Sequence, residues 1–200
     1  MSGLYPTTVN FSAISFQDNR PTLINQTLSG SRTVRQIGGQ YFSFTVQMPP
    51  MKQENAQAYF AFLQKQKGKF EHFTIKAPLN NLGGTHLETD VKVVGSQAIG
   101  DSLIEVDGLT NNQAGAFKAG DVIKFANHNK VYMIQSDMDA TGTSASIQIS
   151  PPLISTLADN EAVVTNRPEF TVYLANDEIM YTADSSDIFN ISFDVRERIT

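Results

Sequence analysis

The sequence predicts a mainly β protein: a split β-sandwich or barrel with one α-helix, carrying an inserted small β-barrel-like domain. Three observations lead there. Two stretches, 40–48 and 188–198, alternate apolar and polar residues over long runs, the period of a strand with one buried face. A single stretch, 51–67, repeats apolar residues at the three- and four-residue steps of an amphipathic helix. Residues 88–165 string together six short β-type runs separated by turn residues, the spacing of a small barrel or sandwich.

A first strand is expected at 9–16, with Val9, Phe11 and Ala13 alternating against Asn10, Ser12 and Ile14. Asp18-Asn19-Arg20-Pro21 reads as the turn after it. Residues 22–36 are polar and β-branched, with Leu23, Ile24, Leu28 and Val34 spread along them and Ser29-Gly30-Ser31 as a break. Gly38-Gly39 is a hairpin signal leading into 40–48. There Phe42, Phe44, Val46 and Met48 share one face, and Tyr41, Ser43, Thr45 and Gln47 the other. Pro49-Pro50 cannot continue a ladder, and proline suits a first helical turn. In the helix Ala56, Tyr59, Phe60 and Leu63 form the apolar stripe. Glu54 at its start and Lys65 and Lys67 at its end match the helix dipole, and Gly68 is the expected C′ residue. A strand at 70–77, with Phe73 and Ile75 alternating, ends at Pro78. Leu79-Asn80-Asn81-Leu82-Gly83-Gly84 reads as a loop.

The short runs lie at 91–94, 103–106, 121–125, 131–135, 146–150 and 162–165. Asn127-His128-Asn129 is a tight hairpin loop and Thr141-Gly142-Thr143 a further turn. Beyond Arg167-Pro168 the chain returns to long strands: 169–175, a turn at Asn176-Asp177-Glu178, then 188–198. In that last strand Phe189, Ile191, Phe193 and Val195 alternate with Asn190, Ser192, Asp194 and Arg196. Its likeness in style to 40–48 makes 88–165 an inserted all-β accessory domain. The outer domain is then discontinuous, 1–85 with 167–200, and its final strand pairs with elements encoded far upstream. Internal repeats and low-complexity tracts are not seen.

Composition narrows the function. Two hundred residues allow one domain with an insertion or two small domains, enough chain to bury about 70% of its unfolded surface. Only 18% of residues are charged; Ser, Thr, Asn and Gln fill the difference, a surface suited to extended sheets and protein contact. Cysteine is absent, which excludes disulfides, thiolate nucleophiles and cysteine metal sites. No signal peptide or membrane-spanning run is read, so synthesis in a cytoplasm is expected. Charge is uneven. Residues 1–80 hold eight Lys/Arg against three Asp/Glu, a balance of +5, and 81–200 hold seven against seventeen, a balance of −10. Compositional drift, complementary faces meeting head to tail in a ring, and a basic part facing a polyanion all fit this split.

Motifs for chemistry are few. His72, His86 and His128 have no zinc-ligand spacing. No Gly-x-Ser-x-Gly elbow, P-loop or dinucleotide fingerprint is present. Asp137-Met138-Asp139-Ala140-Thr141-Gly142 has the opening spacing of a calcium loop, but its twelfth position is Gln148, which lacks the bidentate carboxylate; an acidic β-turn is expected. Asp177, Asp184 and Asp187 could pair for glycoside hydrolysis, though solvated loops are the ordinary case. Thirteen Phe, six Tyr and no Trp speak for core ribbons over a sugar platform. Lys65-Gln66-Lys67-Gly68-Lys69 is the one local cationic cluster, either a solvated helix end or a patch facing DNA or a neighbouring subunit.

Three stretches resemble the distal tail proteins of long-tailed bacteriophages. The first runs from Ser29-Gly30-Ser31-Arg32 through Val34-Arg35-Gln36-Ile37-Gly38-Gly39-Gln40-Tyr41-Phe42-Ser43-Phe44. The second is Met48-Pro49-Pro50-Met51, then Ala58-Tyr59-Phe60-Ala61-Phe62-Leu63 and Lys67-Gly68-Lys69-Phe70-Glu71-His72-Phe73. The third comprises Phe117-Lys118-Ala119-Gly120-Asp121-Val122-Ile123-Lys124-Phe125, Val131-Tyr132-Met133-Ile134 and Ile149-Ser150-Pro151-Pro152-Leu153. The resemblance implies a structural virion protein: a homo-hexameric ring at the tail end that joins the tail tube to the central hub and docks other tip proteins. DNA would pass through without sequence readout. Catalytic residues, metal, cofactor and membrane insertion are not expected. Arg32, Arg35, Lys65, Lys67 and Lys69 are the candidate subunit-interface or lumen residues. A tail-tube subunit, a receptor- or carbohydrate-binding module using 88–165, and a glycan hydrolase are the alternatives.

Overall fold

The computed structural model describes residues 3–6, 10–76, 90–183 and 187–199. Val9, Ala77-Pro78, the loop 79–84, His86, the start of the insertion at 88 and Asp184 lie outside the described residues. The elements are β1 (Ala13–Asn19), β2 (Thr22–Gln26), β3 (Arg32–Gln36), β4 (Tyr41–Gln47), β5 (Met51–Lys52), α1 (Gln53–Lys65) and β6 (Phe73–Lys76). Then come β7 (Lys92–Val93), β8 (Leu103–Asp107), β9 (Val122–Phe125), β10 (Val131–Ile134), β11 (Ala145–Ser150) and β12 (Val163–Val164). The last are β13 (Glu169–Leu174), β14 (Tyr181–Ala183) and β15 (Ile188–Glu197). The chain is mainly β, with α1 as the one helix among the described residues. It divides into two compact units, Met1–Phe73 with Val172–Ile199, and Thr74–Thr171.

A seven-stranded sheet runs in the order β1-β4-β15-β13-β6, with β5 and β14 also paired to β15. Its centre is the antiparallel ladder between β4 and β15. Because both strands alternate, their apolar residues fall into rows with β1. Ile14, Val46 and Phe193 form one row, and Phe16, Phe44 and Val195 the next. Helix α1 packs against β15 and buries Ala56, Tyr59 and Leu63. Tyr5 is the hub of this core. It is 1% exposed, and its ring centroid lies 5.4 Å from Phe193, 5.5 Å from Phe62 and 5.7 Å from Tyr59, the spacing of favourable aromatic pairs. Burial holds its hydroxyl far above the ordinary phenol range.

Several expectations needed correction. The first strand starts at Ala13, and its inward residues are Ile14 and Phe16, the opposite phase to that expected. The choice is made by β4, whose buried face sits across from them. Asp18 and Asn19 belong to this strand, leaving Arg20-Pro21 as the turn. Gly38-Gly39 joins strands that do not pair: β3 pairs with β2 and β4 with β1 and β15. The strand expected at 70–77 begins at Phe73, and Phe70 is 78% exposed. The helix ends one residue earlier than its glycine suggested. Lys67 takes the left-handed turn at φ 54°, and Gly68 follows at φ 64°. A Cβ on Gly68 would meet Asp177 Oδ1 at 2.7 Å, so the glycine admits that carboxylate, which accepts the Lys69 amide at 3.1 Å. Where the β4–β15 ladder ends, buried Glu197 accepts the Phe42 amide through Oε2 at 3.0 Å, replacing a backbone acceptor.

The second unit is a small barrel. All six short runs expected from sequence are strands, in the order β12-β9-β10-β11-β8-β7. A bridge between Lys92 and Ala162 joins the two ends of that order, with Val93 N donating to Glu161 O and Val163 N to Val91 O, both at 2.9 Å. Closure removes the free edges. Phe117, Phe125, Tyr132, Ile104 and Ile147 fill the interior.

Truncating a row should be costly and truncating an exposed ring should not. Phe44→Ala is expected to destabilise the sheet by about 3–5 kcal/mol and Phe70→Ala by less than about 0.5 kcal/mol, as read by urea denaturation.

Candidate assembly surface

Among the described residues, the side chains flagged for chemistry are committed to structure. In the barrel, Asn127 Nδ2 donates to Thr156 O at 2.8 Å, so its Oδ1 faces His128 and takes the Nδ1 proton. Tyr132 hydroxyl accepts from Ile154 N at 3.2 Å and donates to His128 Nε2 at 2.7 Å. These contacts fix the His128 ring from both nitrogens, and burial keeps it below the ordinary imidazole range. His72 is also held low, by burial and then by Arg198, whose Nη1 donates to its Nδ1 at 2.5 Å. The would-be calcium residues hold loops together. Asp137 accepts Ala119 N and Lys118 Nζ at 2.9 Å each, which hold its carboxyl low and the lysine high. Asp139 accepts Gly115 N at 2.7 Å. Gln148 lies within β11. Asp177 bonds the Lys69 backbone, and Asp187 occupies the turn before β15 at φ 56°.

One element has no such commitment. Strands β2 and β3 form a two-stranded antiparallel hairpin separate from both larger sheets. All ten strand residues are exposed. Isolated hairpins of this kind are marginally stable in water. This one also presents apolar side chains to solvent: Leu23 58%, Ile24 52%, Val34 50% and Ile37 49% exposed, with Leu28 fully exposed in the loop. The register puts Ile24 opposite Val34, on the face that carries Arg32, and Leu23 opposite Arg35 on the other face. Both faces are therefore mixed aliphatic and cationic. No carboxylate pairs with either arginine among the described residues.

The other three sequence-flagged cations sit elsewhere. Lys65 ends α1. Lys67 stands over the Phe70 ring at 5.9 Å. Lys69 Nζ lies 3.6 Å from Asp177 Oδ2, at the margin of a cleft of about 470 Å³. Met180 lines that cleft with an exposed side chain, Leu174 and Phe193 border it with side chains turned into the core, and Asp177, Glu178 and Asp194 supply carboxylates. Asp194 is oriented by Thr45 Oγ1 at 2.7 Å. The five candidate cations thus fall into two groups, two on the hairpin and three at the helix end. Sequence reading missed the cleft because its acidic residues lie on a loop and on the outward face of β15. The hairpin did leave a signal: adjacent Leu23-Ile24 cannot share one face of a strand, so at least one must look outward.

The described residues thus form a folded β scaffold with an exposed mixed hairpin and an acidic cleft. Comparison with known proteins makes the class specific. Residues 84–167 match the family described as Distal tail protein pb9, B domain. Across 194 residues the chain is 23% identical to Distal tail protein pb9 of Escherichia phage T5, covering 96% of this chain and 93% of the relative. Together these matches support a phage distal tail protein, a component of the virion tail. Among the described residues no helix is long and apolar enough to cross a membrane.

Because the folded pKa of His128 lies below 6.5, the unfolded chain binds its proton first. Its contribution to stability is complete above about pH 6.5 and is lost as pH falls through that value toward the lower folded one. The urea midpoint should therefore fall between pH 7.5 and 5.5, and His128→Gln should make that fall shallower.

Proposed function

We propose that this chain is a ring-forming structural protein of the tail tip, joining the tail tube to the central hub and docking other tip proteins. The ring is built by a discontinuous domain, 1–85 with 167–200, while 88–165 is an accessory domain inserted into it. The role is non-catalytic. The observation that carries the reading is the exposed hairpin. A chain that buries its two cores and closes one sheet into a barrel leaves this arm coated with aliphatic and guanidinium groups, the kind of surface that marks a protein contact. The match of 84–167 to the B domain of a distal tail family supports the insertion.

The basic residues Arg32, Arg35, Lys65, Lys67 and Lys69 serve at subunit contacts or face the lumen, where DNA passes under charge attraction without base readout. Against a sugar-binding role for the barrel, its aromatic rings Phe117, Phe125 and Tyr132 are at most 1% exposed. Among the described residues its exposed large apolar side chains, Ile99, Leu103 and Val164, are aliphatic and offer no stacking face. A tail-tube subunit would use similar sheet contacts and is separated by its product, long tubes in place of closed rings.

Mass photometry and negative-stain microscopy of the purified chain, alone and with its tail-tube and hub partners, are expected to show closed rings of about six copies. Extended tubes would move the assignment to the tail tube. A persistent monomer missing from purified virions would remove the assembly role.

A further inference from the structure

We infer that the β2–β3 hairpin of one copy of this chain docks in the acidic cleft of a second copy, head to tail. The inference rests on the ring reading and adds to it the two surfaces that meet. Four observations on a single structural unit converge.

The first is charge. From Pro21 to Gln53 the sequence holds no Asp or Glu, and the hairpin presents Arg32 and Arg35. The cleft presents Asp177, Glu178 and Asp194, with Lys69 drawn to Asp177. Guanidinium and carboxylate groups suit bidentate pairing, and complementary potentials fix which patch meets which. The second is apolar matching. The hairpin exposes Leu23, Ile24, Leu28 and Val34. The cleft offers the Met180 side chain, 72% exposed; methionine adapts its shape to an incoming side chain.

The third is the distribution of charge on the ribbon. Arg32 and Arg35 project from opposite faces, so a hairpin lying in a cleft presents a cation to each side. The fourth is position along the sheet. The hairpin leaves between Asn19 and Tyr41, which pair at one end of the β1–β4 ladder. The cleft residues Phe193 and Asp194 pair with Val46 and Thr45, about 13–17 Å further along β4 at the usual rise per residue. Donor and acceptor patches are therefore distinct surfaces. A contact between two distinct patches is heterologous, and repeating it closes a ring when the rotation permits.

The absence of cysteine makes a direct test clean. A Leu28→Cys, Met180→Cys double variant of the full chain, oxidised under conditions where the wild type assembles, should give a ladder of covalent multimers on non-reducing gels. Mixing the two single variants should give only cross-linked dimers containing one of each. Independently, Arg35→Glu should weaken self-association at least about tenfold, Glu178→Lys likewise, and the two changes together should recover most of the loss. Circular dichroism is the check that these surface variants fold. Rings that form normally while the cysteines stay uncoupled, or that ignore both charge reversals, would overturn the docking and leave the ring reading standing. A disulfide within single chains would overturn it too. A wild-type chain that never self-associates, even with its tail partners, would sink both.

Discussion

The structure depends on the pairing of β4 with β15. Thr45 and Asp194 are 149 positions apart in sequence, yet they face each other across neighbouring strands and are hydrogen bonded. On the inner side of the same ladder, rows of Ile14, Val46 and Phe193 and of Phe16, Phe44 and Val195 form the floor of the core. Helix α1 and Tyr5 close over that floor. Without the ladder, β1 would lose the face that sets its phase and the helix would lose the surface it packs on. The chain between the two strands can be long because loop-closure entropy grows only with the logarithm of length. It leaves on β6 and returns on β13, which are neighbours in the same sheet, and the barrel is encoded between them.

Much of this was legible in the sequence, because the relevant signals are local. Phe42, Phe44, Val46 and Met48 fall on one face by period two alone, and all four are buried. The helical stripe and the six short barrel strands were read the same way, each bounded by its own turn residues. The final strand was expected to pair far upstream, since its style matched only 40–48, and β15 does pair with β4.

What was not legible was decided by partners. The phase of β1 could not be read from 9–16, where Phe11, Ala13 and Ile14 support either phase; β4 makes the choice. Gly38-Gly39 has hairpin chemistry but connects strands with other neighbours. Strand β14 was missed because Tyr181, Thr182 and Ala183 are all exposed and show no alternation. Tyr5 sits in a short Pro-containing stretch with no periodicity, and only the assembled core reveals it as the hub. The cleft has the same origin. Asp177, Glu178 and Asp194 read as turn and surface acids until the fold brings them to one cleft beside Lys69 and Met180.

The account comes down to one closed core that presents one unpartnered arm, and amide hydrogen exchange on the full chain tests this most directly. In the monomer, β4 and β15 should share the slowest exchange of their unit. Residues 22–36 should exchange orders of magnitude faster and become protected only when copies assemble. A hairpin already protected in the monomer, or β4 and β15 exchanging as separate bodies, would contradict it.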